Sequence, residues 1–147
     1  MKDAVEKAIK SADALFMAAA VADFRPATLI KQKIKKEAGV PEIRLEATPD
    51  ILRAVAKIKS EKGWPRATVG FAAETQNLIE NAHEKLQAKK LDLVVANDIC
   101  ASDAGFGVDT NRITLLFPDG REETLPLMSK EQAAAEIMER VASQLLI

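Results

Sequence analysis

Apolar and polar residues recur along this chain at two spacings, one typical of helices and the other of strands. Residues 3–11 carry apolar side chains at helical spacing, which predicts a helix. A largely apolar run then extends to Ala22, and its small-residue part, residues 17–22, is typical of a buried strand in a parallel sheet. The chain therefore opens with a predicted helix, a tight turn and a buried strand.

A half-exposed strand and a helix are predicted next. Residues 42–47 alternate between charged and apolar side chains, the period of a strand with one buried face. Thr48 can cap a helix, Pro49 suits the first helical position, and Asp50 complements the helix dipole. The helix is expected to run to about Lys62, where glycine, tryptophan and proline follow.

The middle of the chain predicts an α/β fold. Residues 67–73 and 91–96 are mostly apolar, as central parallel strands are, and a helix is expected between them through Lys90. Strands and helices thus alternate, which predicts a doubly wound, mostly parallel sheet.

A hairpin and a last helix are predicted to complete a single domain over residues 1–147. Residues 111–117 and 122–127 flank a Pro-Asp-Gly turn and should form an antiparallel edge. Ser129 and Gln132 have the spacing of a capping box. The last helix has one apolar stripe, made of Ala133, Ile137, Val141 and Leu145.

The composition argues against several classes of function. The formal net charge is −1, from 21 basic and 22 acidic residues, which gives no general attraction to nucleic acid or membranes. A single cysteine, Cys100, excludes an intrachain disulfide, and with a single histidine, His83, a zinc cluster is not expected. The sequence shows no membrane-length apolar run and no signal peptide, so we expect a cytoplasmic protein.

The most charged stretch follows the first predicted strand. Asp23 ends the apolar run, and four lysines, at positions 31, 33, 35 and 36, come soon after. Ligands of open α/β sheets bind beyond the carboxyl ends of the strands, so an acid and movable cations there suggest a polyanion site with a metal. On charge alone a solvated lysine-rich loop is the favoured interpretation.

Four polar segments at strand ends or helix starts make the sequence specific: AAVADFRPA, ATPDIL, GFAAET and VANDI. Together with KIKK, GFGVDTNRITLLFPDG and LPLMSKEQAA, this combination resembles the phosphopantothenate–cysteine ligase domain of the bacterial coenzyme A biosynthetic flavoprotein family. The resemblance runs from about Ala4 to the last helix.

The resemblance implies a fold, a reaction and partners. The family fold is a Rossmann-like three-layer α/β/α sandwich that forms homodimers. Its members join 4′-phosphopantothenate to cysteine with CTP and Mg²⁺. The substrate carboxylate attacks the α-phosphorus of CTP and releases pyrophosphate, and the cysteine amine then displaces CMP from the acyl-cytidylate. Physical reasoning alone leaves CTP and ATP both open.

The site residues are carried over from matching motifs. The implied nucleotide site comprises Asp23, Lys33, Pro49, Asp50, Ile51, Leu52, Phe71, Lys85 and Lys89. Asp23 is also the implied metal ligand, Lys33 is the implied catalytic residue meeting charge on the α-phosphate, and Ala19 and Ala20 are implied to contact substrate.

Simple physics fits several of these assignments. A four-residue spacing places Lys85 and Lys89 on one helix face. A helix start near Thr48 offers free backbone N–H groups to a ligand. The Phe71 ring could pack on a base or sugar.

Each of these residues also has an ordinary structural interpretation. Phe71 would be a core residue, Lys85 and Lys89 a solvated helix face, and Thr48 and Pro49 a helix cap. For Asp23 and Lys33 the ordinary roles are a turn and a free loop. Asn97 and Asp98 either organise a strand-end loop or touch ligand, and no role follows for His83 or Cys100.

One departure from the family pattern concerns its upstream glycine-rich segment, which supplies a phosphate-binding turn and an essential asparagine. This chain begins MKDAV, so we expect the C-terminal part of the ligase domain, with little activity alone. A first alternative is a non-catalytic split subunit or regulatory nucleotide-binding module that needs a partner chain carrying the missing segment or a decarboxylase domain. A second is an unrelated Rossmann-like nucleotide-binding enzyme, against which the absence of GxGxxG counts.

Overall fold

A computed structural model describes residues 1–30, 32–33, 40–74, 77–98 and 107–146. The chain divides into two compact units. The larger comprises Met1–Ala18 and the chain from Ile51 onward, and the smaller is Ala19–Asp50. The predictions for Lys31, Lys35, Lys36 and Cys100 lie outside the described residues.

The elements are numbered in chain order. The helices are α1 (Lys2–Ala8), α2 (Ile51–Lys62), α3 (Leu78–Ala88) and α4 (Lys130–Arg140), with a 3-10 turn at Ile9–Ser11 and a π-helical turn at Val141–Leu145. The strands are β1 (Ala14–Met17), β2 (Phe24–Pro26), β3 (Leu45–Ala47), β4 (Ala67–Glu74), β5 (Leu93–Asp98), β6 (Thr110–Asn111), β7 (Ile113–Leu116), β8 (Glu122–Thr124) and β9 (Met128–Ser129).

A five-stranded sheet organises the larger unit. Its order is β1-β4-β5-β7-β8; β1, β4 and β5 run parallel, whereas β7 and β8 pair antiparallel. The predicted α/β fold class, with a C-terminal antiparallel hairpin, is confirmed. The predicted capping box is also present, because Ser129 and Gln132 exchange side-chain to backbone hydrogen bonds.

Both faces of this sheet are covered. On one face Val69, Leu93 and Leu115 pack with Ala133, Ile137 and Val141 of the last helix and its continuation. On the other face Val94, Ala96 and Leu116 pack with Ala82 and Leu86 of α3, and Ile51 and Val55 of α2 pack with Ile9. Burial on both faces explains why β4 and β5 are apolar runs without alternation.

An ion-paired network joins the amino ends of β4 and β5. Asp92 Oδ2 accepts hydrogen bonds from Lys59 Nζ at 2.5 Å and from the Thr68 backbone N–H at 2.6 Å. Lys59 Nζ also donates to the Arg66 carbonyl at 2.9 Å. The strand β5 begins at Leu93, directly after Asp92 and two residues later than predicted.

The predicted strand at residues 17–22 is wrong. The strand β1 ends at Met17, which lies opposite Gly70, and residues 18–22 are exposed and outside any strand. Alanine contributes little area to a core, so a run of alanines indicates low polarity without requiring burial. The pairing of β1 with β4 ends at Met17, and the smaller unit begins at Ala19.

The predicted helix start at Thr48 and Pro49 is also wrong, because α2 begins at Ile51. Thr48 instead closes a two-stranded ribbon: its hydroxyl donates to the Ala22 carbonyl at 2.5 Å, and its N–H donates to the Asp23 carbonyl at 2.8 Å. Asp50 then directly precedes the helix, a position that favours aspartate.

The ribbon itself pairs β2 with β3. The strand β2 lies in a stretch predicted as loop, and β3 is shorter than the predicted strand at residues 42–47.

Candidate functional site

Lys85 and Phe71 are in direct contact at the parallel part of the sheet. The Lys85 ammonium donates a hydrogen bond to the Phe71 carbonyl oxygen at 2.5 Å. The Phe71 side chain is half-buried and packs against the core on the face covered by α4. The structure thus brings together two predicted nucleotide-binding residues from different elements, and it also gives the Phe71 ring a packing role.

The helix α3 holds Lys85 in place through its apolar side. Ala82 and Leu86 are buried against the sheet at 0% and 4% exposure, and Lys85 precedes Leu86 directly. Lys89 follows one turn later, where its backbone N–H donates to the Lys85 carbonyl at 3.0 Å. Both lysines are half-buried, so part of the aliphatic chain of each lies against the protein. Their four-residue spacing is the one from which a shared helix face was predicted.

A glycine allows close packing over β4. A Cβ atom at Gly70 would lie 2.6 Å from Leu91 Cδ1 and 3.9 Å from Leu52 Cδ1. Glycine at this position lets Leu91 approach the strand backbone next to Phe71, whereas Leu52 of α2 would lie at an ordinary van der Waals distance. The close packing of Leu91 on β4 therefore depends on the missing side chain.

The segment PDIL divides between the two units. Ile51 is buried at 5% exposure and Leu52 packs against the core on the α3 face, so their side chains are used by the fold. Pro49 and Asp50 are exposed. At this segment a ligand would therefore meet backbone N–H groups at the start of α2, because the apolar side chains of Ile51 and Leu52 point into the core.

The remaining predicted site residues lie in the smaller unit, where Ala19, Ala20, Asp23 and Lys33 are all exposed. Asp23 is positioned through its backbone by the hydrogen bond from Thr48, at the base of the ribbon. The ribbon is held by a cross-strand ion pair, Arg25 Nε to Glu46 Oε1 at 2.8 Å.

A preformed metal cluster is not found in the described residues, which contain no group of three or more His, Cys, Asp or Glu side chains suited to a metal. Mg²⁺ usually binds one or two carboxylates and completes its shell with water and substrate phosphates. The single exposed carboxylate of Asp23 therefore fits a Mg²⁺ ion that binds together with a polyphosphate.

Sequence reasoning gave no role to His83, and the structure provides one. His83 Nε2 lies 2.7 Å from Glu122 Oε1, so the contact links α3 to the outer strand β8. The two residues are 39 positions apart, and no local pattern signals such a pair.

Asn97 has two open interpretations, a role in a strand-end loop or a contact with ligand. Its side-chain oxygen Oδ1 is buried near the carboxyl end of β5 and has no hydrogen-bond partner in the described part of the chain.

The sheet order, with helices on both faces, defines an α/β protein with a mixed, mostly parallel sheet. A profile described as the DNA/pantothenate metabolism flavoprotein C-terminal domain matches residues 1–145, and the chain belongs to this family. The resemblance drawn from the motifs is thereby confirmed at the level of the family. No helix in the described ranges is long and apolar enough to cross a membrane.

Relatives share the whole length of this chain but extend beyond it. The coenzyme A biosynthesis bifunctional protein CoaBC of Bacillus subtilis (strain 168) is 44% identical over 143 residues, covering 97% of this chain and 34% of that protein. A cysteine/cysteine sulfinic acid decarboxylase from an unknown prokaryotic organism is 39% identical over 141 residues, covering 96% and 38%. The chain spans about a third of the length of these curated relatives.

A solved structure agrees with the fold. The crystal structure of the C-terminal domain of the coenzyme A biosynthesis bifunctional protein CoaBC matches with a TM-score of 0.72 at 32% identity. The match covers 95% of this chain and 58% of that one.

Proposed function

We propose that this chain is part of a CTP-dependent phosphopantothenate–cysteine ligase acting in coenzyme A biosynthesis. The observation that carries the proposal is the Lys85–Phe71 contact, which places a cation beside the parallel strand where the family motif expects a nucleotide. The 44% identity to a protein named for coenzyme A biosynthesis supports the pathway. Because the chain spans about a third of that relative, the complete reaction remains part of the proposal.

Each proposed role uses the chemistry of the side chain. Lys85 and Lys89 bind the polyphosphate, since two ammonium groups one helical turn apart can both reach one chain of phosphates. The Phe71 ring borders the base or sugar, and the N–H groups at Asp50, Ile51 and Leu52 bind the nucleotide.

Lys33 and Asp23 act on the reacting phosphate. Lys33 neutralises charge that grows on the α-phosphate as the substrate carboxylate attacks and pyrophosphate leaves. Asp23 holds the Mg²⁺ ion that binds with the nucleotide and neutralises phosphate charge. Ala19 and Ala20 are small enough to let the acyl substrate lie against the backbone.

A second copy of the chain is the proposed partner. Of the ten large hydrophobic residues that are exposed among the described residues, seven lie in the smaller unit: Val21, Phe24, Leu29, Ile30, Val40, Ile43 and Leu45. Exposed apolar residues concentrated in one part of a chain favour burial against another molecule. We propose a homodimer that buries this apolar surface of the smaller unit.

The test is a titration of the purified chain with CTP, ATP and NAD in the presence of Mg²⁺, followed by a ligation assay with phosphopantothenate and cysteine. We expect CTP to bind most tightly and ligation to be slow for the chain alone. Preference for NAD would contradict the proposal and favour an unrelated nucleotide enzyme.

A second measurement separates an enzyme part from a regulatory module. The glycine-rich segment of a relative, supplied as a separate chain, should raise the ligation rate if the two parts form one site. CTP binding without any gain in ligation would instead favour a non-catalytic nucleotide-binding module.

A further inference from the structure

A pocket lies in the larger unit at the amino ends of β1 and β4. It has a volume of about 370 Å³ and is lined by Ile9, Lys10, Ile58, Lys62 and Trp64. This volume lies within the range typical of small-ligand sites. None of these residues belongs to the proposed nucleotide site, and the residues before β1 and β4 lie opposite the carboxyl ends of those strands.

Local sequence creates the pocket. The 3-10 turn Ile9–Ser11 carries Ile9, which is buried at 1% exposure, and Lys10, which is exposed. The helix α2 ends at Lys62, where Gly63 takes a positive φ of 71° and donates its N–H to the Lys59 carbonyl at 2.8 Å. The chain reverses at this glycine and brings Trp64 back against the helix end.

The lining combines an apolar surface with positive charge. Ile58 and the half-buried Trp64 ring supply most of the apolar contact, and Ile9 lines the pocket while almost fully buried; Lys10 and Lys62 supply two ammonium groups from different elements. Within the described ranges neither lysine is paired with a carboxylate, and the Trp64 indole N–H has no acceptor. By contrast, Lys59, which like Lys62 belongs to α2, donates hydrogen bonds to Asp92 and to the Arg66 carbonyl.

We propose that this pocket binds a small amphipathic anion, an aromatic ring that carries an acid group. The ring packs on Trp64 and the isoleucines, and the acid group lies between the two lysines. A neutral ring gains the apolar contact but no charge interaction, and a simple inorganic anion gains the reverse. The site therefore selects molecules that have both parts.

The chain contains one tryptophan, so its indole N–H gives one resonance that reports on the pocket directly. The experiment is a titration of the ¹⁵N-labelled chain with 8-anilinonaphthalene-1-sulfonate, with uncharged N-phenyl-1-naphthylamine as the matched ligand. We expect a saturable shift of the indole resonance with the sulfonate. We also expect weaker binding of the neutral ring.

Charge variants complete the test. Lys10→Gln and Lys62→Gln should each weaken sulfonate binding about fivefold, the loss expected for one close charge pair in water. They should leave the affinity for the neutral ring unchanged. Lys57→Gln is the control, because Lys57 is exposed on the same helix, outside the pocket, 4.0 Å from Glu61.

Three results would overturn the proposal. The first is an indole resonance that stays fixed at saturating sulfonate. The second is equal affinity of the wild-type chain and both pocket variants. The third is an equal loss in the Lys57→Gln control, which would indicate a response to total charge. The titrations contain no nucleotide, so they succeed or fail independently of the proposed ligase function.

Discussion

The sheet of the larger unit and the ribbon of the smaller unit both contain proposed site residues, but they position them by different forces. In the sheet, Lys85 is fixed by a helix whose buried side packs on β4 and β5, and its ammonium is held by the Phe71 carbonyl. In the ribbon every strand residue is exposed, and order comes from backbone hydrogen bonds and the Arg25–Glu46 pair. Packing therefore positions the candidate residues of the larger unit, and local hydrogen bonding positions those of the smaller unit.

The two regions should differ most in how much free energy of unfolding is lost when an apolar side chain is replaced by a smaller one. Leu93 is fully buried, so Leu93→Ala should lower the free energy of unfolding by about 3 kcal/mol. Leu45 in the ribbon is 57% exposed, and Leu45→Ser should cost no more than about 0.5 kcal/mol in the monomer.

Urea denaturation at low and high protein concentration provides the measurement. A cost at Leu45 that appears only at high concentration would support the proposed dimer. Equal losses of unfolding free energy at Leu93 and Leu45 in the monomer would contradict the claim that packing stabilises the sheet but not the ribbon.

The second prediction concerns the proposed nucleotide binding by the larger unit. Lys85→Gln removes the proposed charge-assisted contact to phosphate and should weaken CTP binding about tenfold. Lys90→Gln is the matched control, since Lys90 is exposed just beyond the same helix. Isothermal titration calorimetry distinguishes them, and an equal effect in both variants would indicate a general charge effect without a specific site.

The third prediction uses the ion pair that joins the hairpin to the last helix. Arg140 donates to both carboxylate oxygens of Glu123, at 2.6 and 3.4 Å, and this bonding lowers the pKa of Glu123 below its usual 4.5. Since the folded protein binds this proton less readily than the unfolded chain, the stabilisation is present above pH 4.5 and is lost as pH falls through the lowered pKa.

Glu123→Gln should therefore cost about 1 kcal/mol near neutral pH. The difference from the wild type should shrink as the solution becomes more acidic than pH 4.5. Denaturant unfolding across pH is the measurement, with Glu139→Gln as control because Glu139 lies 3.7 Å from Arg140 and is 71% exposed. A difference that does not change with pH would exclude the ionised pair as its cause.

The smallest expected effect is local to the ribbon. Thr48→Val removes the hydroxyl that donates to the Ala22 carbonyl, which should cost about 0.5–1 kcal/mol of local stability. Hydrogen exchange should quicken at the Thr48 and Ala27 amides, while global unfolding stays unchanged. Thr48→Ser retains the hydroxyl and should behave as the wild type; a global loss in Thr48→Val would show that the ribbon and the sheet unfold together.

The sequence predicted the packed region well because burial on two faces leaves a direct pattern. The apolar runs that became β4 and β5, the hairpin around Gly120 and the capping box at Ser129 were all identified. The ribbon was not identified, since β2 contains Arg25 and Pro26 and is defined by pairing with residues about twenty positions away. Pairing between distant exposed strands leaves no local periodicity.

The site shows the same division. The four-residue spacing of Lys85 and Lys89 predicted a shared helix face, but α3 ends at Ala88, two residues before the predicted end, so that Lys85 lies in the helix and Lys89 is its C-cap residue. The hydrogen bond from Lys85 to the Phe71 carbonyl was not predictable, because it depends on how closely α3 packs on β4. The sequence context of Thr48 suits a helix cap, but α2 begins only at Ile51 and the Thr48 hydroxyl donates to the Ala22 carbonyl. A hydrogen bond between residues 26 positions apart is decided only in three dimensions.

The two edges of the described sheet differ in how they would meet another chain. The edge strand β8 has the sequence EET, and its acidic side chains disfavour pairing with a second strand. The opposite edge, β1, has the uncharged sequence ALFM and pairs on one side only with β4. If this chain aggregates, we expect intermolecular β-sheet to grow from β1.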